Sequence, residues 1–146
     1  MGALAVDFDA VLGDTRPLWQ AWVEDLARRA RVDVELPADR AAAAQVLDGV
    51  VGNWRALLER FAEEHAPIHL RPSAEVNAAL RRLSADGVRL GAFTDAPEPL
   101  ARVAAAQLGV ARRLEALEAG ASAEERLLAR LGPEARIVRS AAELAG

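Results

Sequence analysis

The sequence predicts an α/β protein: a three-layer parallel-sheet core with a small all-helical segment inserted after the first strand. Three observations carry that prediction. Short apolar runs of strand length stand at 3–8 (ALAVDF), 88–94 (VRLGAFT) and 135–139 (ARIVR), the first two bounded by Gly and Asp. Apolar residues between them recur at three- and four-residue steps, the period of helices packed on one face. After residue 70 helices and strands alternate, and parallel strands need such crossovers.

Taken in order, the chain opens with the strand over 3–8 and the turn material Asp9 to Gly13. Leu18, Trp19, Trp22, Val23 and Leu26 then follow helical spacing to about Arg31, with Pro17 suited to a first turn. Pro37 and Asp39 open an alanine-rich helix to about Leu47, and a third runs from Asn53 to Glu64 with Leu57, Leu58 and Phe61 inward. Two prolines, Pro67 and Pro72, discourage a continuous helix and read as the hinge back to the core. Ser73 caps a helix carrying Val76, Leu80 and Leu83 that stops at Asp86-Gly87. The strand over 88–94 precedes a helix from about Glu98 to Leu108. Residues 113–118 read weakly as a third strand, residues 123–131 as a helix, and the strand over 135–139 closes the pattern. The expected division is a core of 1–15 and 71–146 with a helical cap at 16–70.

Composition narrows the function classes. A chain of 146 residues with 52% hydrophobic side chains can bury a real core. A net charge of −4, with no basic stretch longer than the one around Arg28, Arg29 and Arg31, argues against a nucleic-acid surface. Absence of cysteine excludes disulfides and thiolate metal sites. No secretory pattern opens the chain, and no apolar run approaches the ~20 residues that cross a bilayer, so the expectation is a cytoplasmic protein without a membrane partner. All 18 positive side chains are arginine.

Ligands of an open parallel sheet sit beyond the carboxyl ends of its strands. Asp7, Asp9, Thr94 and Arg139 all fall at such ends and would converge there. Two aspartates one residue apart can divide nucleophile and acid/base roles; the plainer reading is that they start a turn. His65 and His69 stand four apart, but Pro67 lies between them and no third ligand is evident, so they read as ordinary surface or hinge residues. Trp19, Trp22 and Trp54 could line a pocket, although their spacing is that of core packing. Asp14 and Asp95 could join the acidic loop region or cap backbone.

These residues resemble the haloacid dehalogenase superfamily, in its phosphatase branch, over nearly the whole chain. VDFDAVLGDT at 6–15 matches a strand ending in Asp-x-Asp-x-x-x-x-Asp-Thr, and LGAFTD at 90–95 matches the strand ending in Thr or Ser. The resemblance implies a HAD-like, Rossmann-like core in which Asp7 attacks phosphorus to form an aspartyl-phosphate and Asp9 serves as acid and base. It also implies that Thr94 binds phosphate and that Asp7 and Asp9 hold magnesium; Asp95 and, by position alone, Arg139 are further candidate phosphate-binding residues, the plainer reading of Arg139 being a solvated strand-end side chain. The second aspartate argues against a true dehalogenase.

Two motifs depart from that pattern. Where the family carries a lysine, this chain has Gly120-Ala121-Ser122-Ala123-Glu124, with Arg126 and Arg130 further along. Where a metal-binding aspartate follows the last strand, the ungapped match is Val138-Arg139-Ser140, so Arg139 takes its place and the magnesium site is incomplete. A phosphate oxygen about 4 Å from Asp7 costs about 4 kcal/mol per unit charge pair at an effective dielectric near 20. Left uncompensated, that slows reaction roughly a thousandfold. The expectation is a weak or impaired phosphatase of small phosphate esters, with Arg139 a candidate replacement for the missing charge. The alternative is a catalytically inactive HAD-like protein that binds a ligand or partner.

Overall fold

The computed structural model describes residues 2–30 and 35–145. Four strands form one parallel sheet: β1 (Ala3–Asp7), β2 (Arg89–Thr94), β3 (Ala116–Ala119) and β4 (Ala135–Val138), ordered β3-β2-β1-β4. Between β1 and β2 run α1 (Arg16–Ala30), α2 (Arg40–Val50), α3 (Trp54–His69) and α4 (Ala74–Ala85). After β2 come α5 (Glu98–Gln107), α6 (Ala123–Leu131) and the short α7 (Ala142–Ala145). The α/β reading is met in full at the level of class and strand direction.

Alternation along the strands sorts the side chains into two cores. Leu4, Val6, Leu90, Ala92 and Val138 face the larger cluster, which continues through Leu18, Trp19, Trp22, Leu47, Trp54 and Leu58 of the inserted helices to Leu100 and Ala104 of α5. Ala3, Ala5 and Phe93 face a smaller cluster closed by Leu127 and Leu131 of α6. Inserted helices and sheet thus share one apolar cluster, with α3 packed along α5. All three tryptophans serve that cluster: Trp22 lies 5.3 Å from Trp19 and 6.0 Å from Trp54 between ring centroids.

Local chemistry explains the helix starts. Asp39 Oδ1 accepts from the Ala41 N–H to begin α2, and Ser73 Oγ accepts from the Val76 N–H to begin α4. Gly87 supplies the positive φ, 83°, that ends the α4 turn. Gly91 has a different purpose. A Cβ there would stand 2.6 Å from Leu127 Cδ1, so glycine is what lets α6 lie close on β2. Gly91→Ala is expected to destabilise the fold by about 1–3 kcal/mol through overpacking, read as a lower urea midpoint at unchanged slope.

Three sequence expectations need correction. Helix α3 does not stop at Glu64 but passes through Pro67 to His69. The proline costs it only one N–H, and the carbonyl left without that partner belongs to Glu63, an exposed residue in the last turns. Leu70 then donates its N–H to the Ala66 carbonyl at 2.8 Å and closes the helix normally. The third strand is Ala116–Ala119 instead of 113–118, because Ala111–Arg113 forms a turn of 3₁₀ helix first. The last strand ends at Val138, one residue before Arg139. Arg31, where the first helix was expected to finish, lies outside the described residues.

Candidate active site

Strand β1 ends at Asp7 and runs into one turn of π-helix, Phe8–Leu12, which carries Asp9. The Asp7 side chain accepts from the Ala10 N–H at 3.3 Å and so caps this turn. Phe8, Val11 and Leu12 bury themselves beneath the turn, and the two carboxylates are left at the strand ends. A cleft of about 350 Å³ opens there, lined by Asp7, Asp9, Thr94 and Asp95 together with Gly120 and Glu124.

Parallel register brings Arg139 to Asp7. Val6 pairs with Val138, so the next residues, Asp7 and Arg139, stand side by side and share a sheet face with Ala5 and Ile137. The Arg139 Nη1 lies 3.6 Å from Asp7 Oδ2, while Nη2 donates to Glu124 Oε1 at 2.5 Å. The guanidinium carbon stands 5.7 Å from the centroid of the Phe93 ring, which adds a cation–π contact. Arg139 therefore points towards the Asp7 loop, where its charge falls next to the carboxylate.

Sequence reasoning missed the most buried charge of the site. Arg40, the first residue of α2, is 2% exposed and reaches across the strand ends. Its Nη2 donates to Asp9 Oδ2 at 3.0 Å and to Asp95 Oδ1 at 2.8 Å; Nε donates to Asp95 Oδ1 at 3.1 Å and Nη1 to Thr15 Oγ1 at 2.7 Å. The Arg40 backbone N–H also donates to Asp95 Oδ2, at 3.1 Å. Asp9 is held from its other side as well. The Thr15 N–H and Oγ1 donate to Oδ1 at 2.8 and 2.5 Å, and Thr94 Oγ1 donates to Oδ2 at 2.7 Å. The one sequence signal for Arg40 was its place immediately after a capping Asp at a helix start.

Electrostatics follow the contacts. Burial by itself would raise the Asp95 pKa, but the hydrogen bonds and charge of Arg40 outweigh it and hold the carboxyl below its ordinary value. Asp14 does not line the cleft. Its two oxygens accept from Arg16 Nε and Nη2, and that fork lowers its pKa. Arg126 and Arg130, the basic residues that follow Gly120 to Glu124 along the chain, are both paired with Glu118. His65 sits half-buried with Nδ1 2.9 Å from the Phe61 carbonyl oxygen, whereas His69 is exposed at the helix end.

Magnesium takes hard oxygen ligands and keeps near-octahedral geometry. Here both Asp9 oxygens are occupied by protein donors and the outward Asp7 oxygen faces a guanidinium. Among the described residues no group of three or more His, Asp or Glu converges as a ligand set. The residues present do not fit the ion.

The fold is the HAD-like, Rossmann-like α/β fold shared with two solved structures, and the carboxylate pair lies beyond the carboxyl ends of the parallel strands, where open sheets bind ligands in general. Among solved structures, the chain is similar to CbbY from Rhodobacter sphaeroides, crystallised in complex with phosphate, with a TM-score of 0.72 and 13% identity over 99% of this chain and 84% of that one. It is also similar to a putative beta-phosphoglucomutase from Thermotoga maritima, with a TM-score of 0.60 and 17% identity over 99% and 82%. No family model matches the sequence, and no curated protein matches it. No helix among the described residues is long and apolar enough to cross a membrane.

Proposed function

We propose that the chain is a phosphatase-type hydrolase of small phosphate esters, working slowly, through an aspartyl-phosphate on Asp7 and without a bound divalent cation. The observation that supports this best is Arg139 beside Asp7, whose carboxylate lines the cleft. Asp7 would attack phosphorus in line, expelling the alcohol oxygen, and water would then hydrolyse the acyl phosphate. Arg139 contributes charge where magnesium would otherwise act. Solvent reaches that side chain, so its benefit falls well below the ~4 kcal/mol of an unscreened pair.

Slowness comes from Asp9. With Thr15, Thr94 and Arg40 on its two oxygens, neither is free to carry a proton to the leaving group. Good leaving groups need no such proton. Turnover is therefore expected for p-nitrophenyl phosphate and much less for an alkyl phosphate, unchanged by magnesium or by a chelator, and lost in Asp7→Asn. Activity that survives Asp7→Asn, or that magnesium raises strongly, contradicts this reading. The same locking of Asp9 favours the second reading, a ligand-binding domain with no turnover. That reading stands if purified protein binds phosphate but hydrolyses neither ester.

A further inference from the structure

We infer that Arg40 is the resident cation of this site, organising by hydrogen bonds the oxygens that a divalent metal would coordinate, and that its removal uncovers a divalent-cation site at Asp9. This goes beyond the hydrolase reading and does not depend on it, since the readout is metal binding and not turnover.

The case begins with what the guanidinium touches. Asp9 Oδ2, Asp95 Oδ1, Thr15 Oγ1 and Thr94 Oγ1 lie at 3.0, 2.8, 2.7 and 3.4 Å from its terminal nitrogens. These are two carboxylate and two hydroxyl oxygens, a hard set of the kind that magnesium and manganese prefer. They come from the turn after β1, the start of α1 and the end of β2, so one cation joins three elements. A solvated surface arginine makes no such set.

Burial supplies the second argument. An arginine at 2% exposure has lost its hydration, and such a charge persists only where anions and acceptors replace the water. Arg40 has them on every side, and no buried polar side-chain atom among the described residues is left without a partner. Arginine also cannot shed its proton, so the position is permanently positive. A second cation entering here would meet that charge at contact distance. Remove it, and the four oxygens face an emptied volume beside an open cleft.

The experiment is a manganese titration, followed by the loss of free-ion electron paramagnetic resonance signal. Wild-type protein is expected to show no saturable site at Asp9. Arg40→Met, which keeps an unbranched apolar stem but removes the guanidinium, is expected to bind manganese at least about tenfold more tightly. Adding Asp9→Asn to that variant should return the affinity to the wild-type level, and Arg40→Lys should stay close to wild type because a cation remains. The inference is overturned if Arg40→Met binds no more tightly than wild type, or if its tight site survives Asp9→Asn. Should Arg40→Met fail to fold, the wild-type protein still decides. Manganese that broadens the Thr15 and Thr94 amide resonances ahead of all others overturns it, and broadening confined to other regions upholds it.

Discussion

Replacing Arg40 with methionine is expected to lower stability by roughly 3 kcal/mol, a fall in Tm of about 10 °C, because it leaves buried acceptors and the largely buried Asp9 carboxylate without their cation. The figure sits at the low end for a broken buried pair, since Asp95 is 45% exposed and water can reach it through the cleft. Arg139→Met makes the contrast. That side chain is 54% exposed, so its loss should shift stability by no more than about 0.5 kcal/mol while still reducing turnover. Urea unfolding of the two variants beside wild type separates a charge that holds the site together from one that only faces it.

The same contact predicts a pH dependence. Arg40 holds the Asp95 pKa in the folded protein below the ordinary 3.8. A carboxyl depressed on folding contributes stability above its unfolded pKa and loses it as pH falls through the folded one. Wild-type protein should therefore lose stability as pH drops below about 4, and Asp95→Asn should flatten that limb of the curve. Equal acid sensitivity in both would show that Asp95 is not the group responsible.

Trp22→Ala is expected to cost about 3–5 kcal/mol, the usual toll for deleting a large ring from a closed core. Trp22 is 2% exposed and lies between Trp19 of its own helix and Trp54 of α3. The form of the unfolding matters as much as its midpoint. Because the apolar cluster runs without interruption from β1 through α1, α2 and α3 to α5, calorimetry should give one transition that the substitution moves as a whole. Two transitions, of which only the lower moves, would instead favour residues 16–70 as a separately folding cap.

How much was legible follows from the range of each signal. Asp7, Asp9 and Thr94 were found because strand ends are marked by local pattern: apolar runs that stop at Asp or Thr. Arg139 was placed near them by strand direction, and the Val6 to Val138 register turned nearness into adjacency. Arg40 was missed because its partners lie 31 and 55 residues away along the chain and its own neighbourhood, an alanine-rich helix start, resembles any solvated one. Pro67 misled for the opposite reason. A local rule about helix interiors was applied where the affected carbonyl belongs to an exposed residue near the helix end and costs little.

By itself the sequence determined the class of fold, the parallel direction of the strands and the edge of the sheet where Asp7, Asp9 and Thr94 come together, since periodicity and turn residues act over a few positions. It also showed that the stretches resembling two of the family's motifs, Gly120 to Glu124 and Val138 to Ser140, carry no lysine and no aspartate. Only the tertiary structure decided which charges stand beside the carboxylates. Counter-charge depends on which side chains meet across the sheet edge, and desolvation makes that meeting matter: a guanidinium from a distant helix, stripped of water, holds Asp9, Thr94 and Asp95 where a metal does not fit.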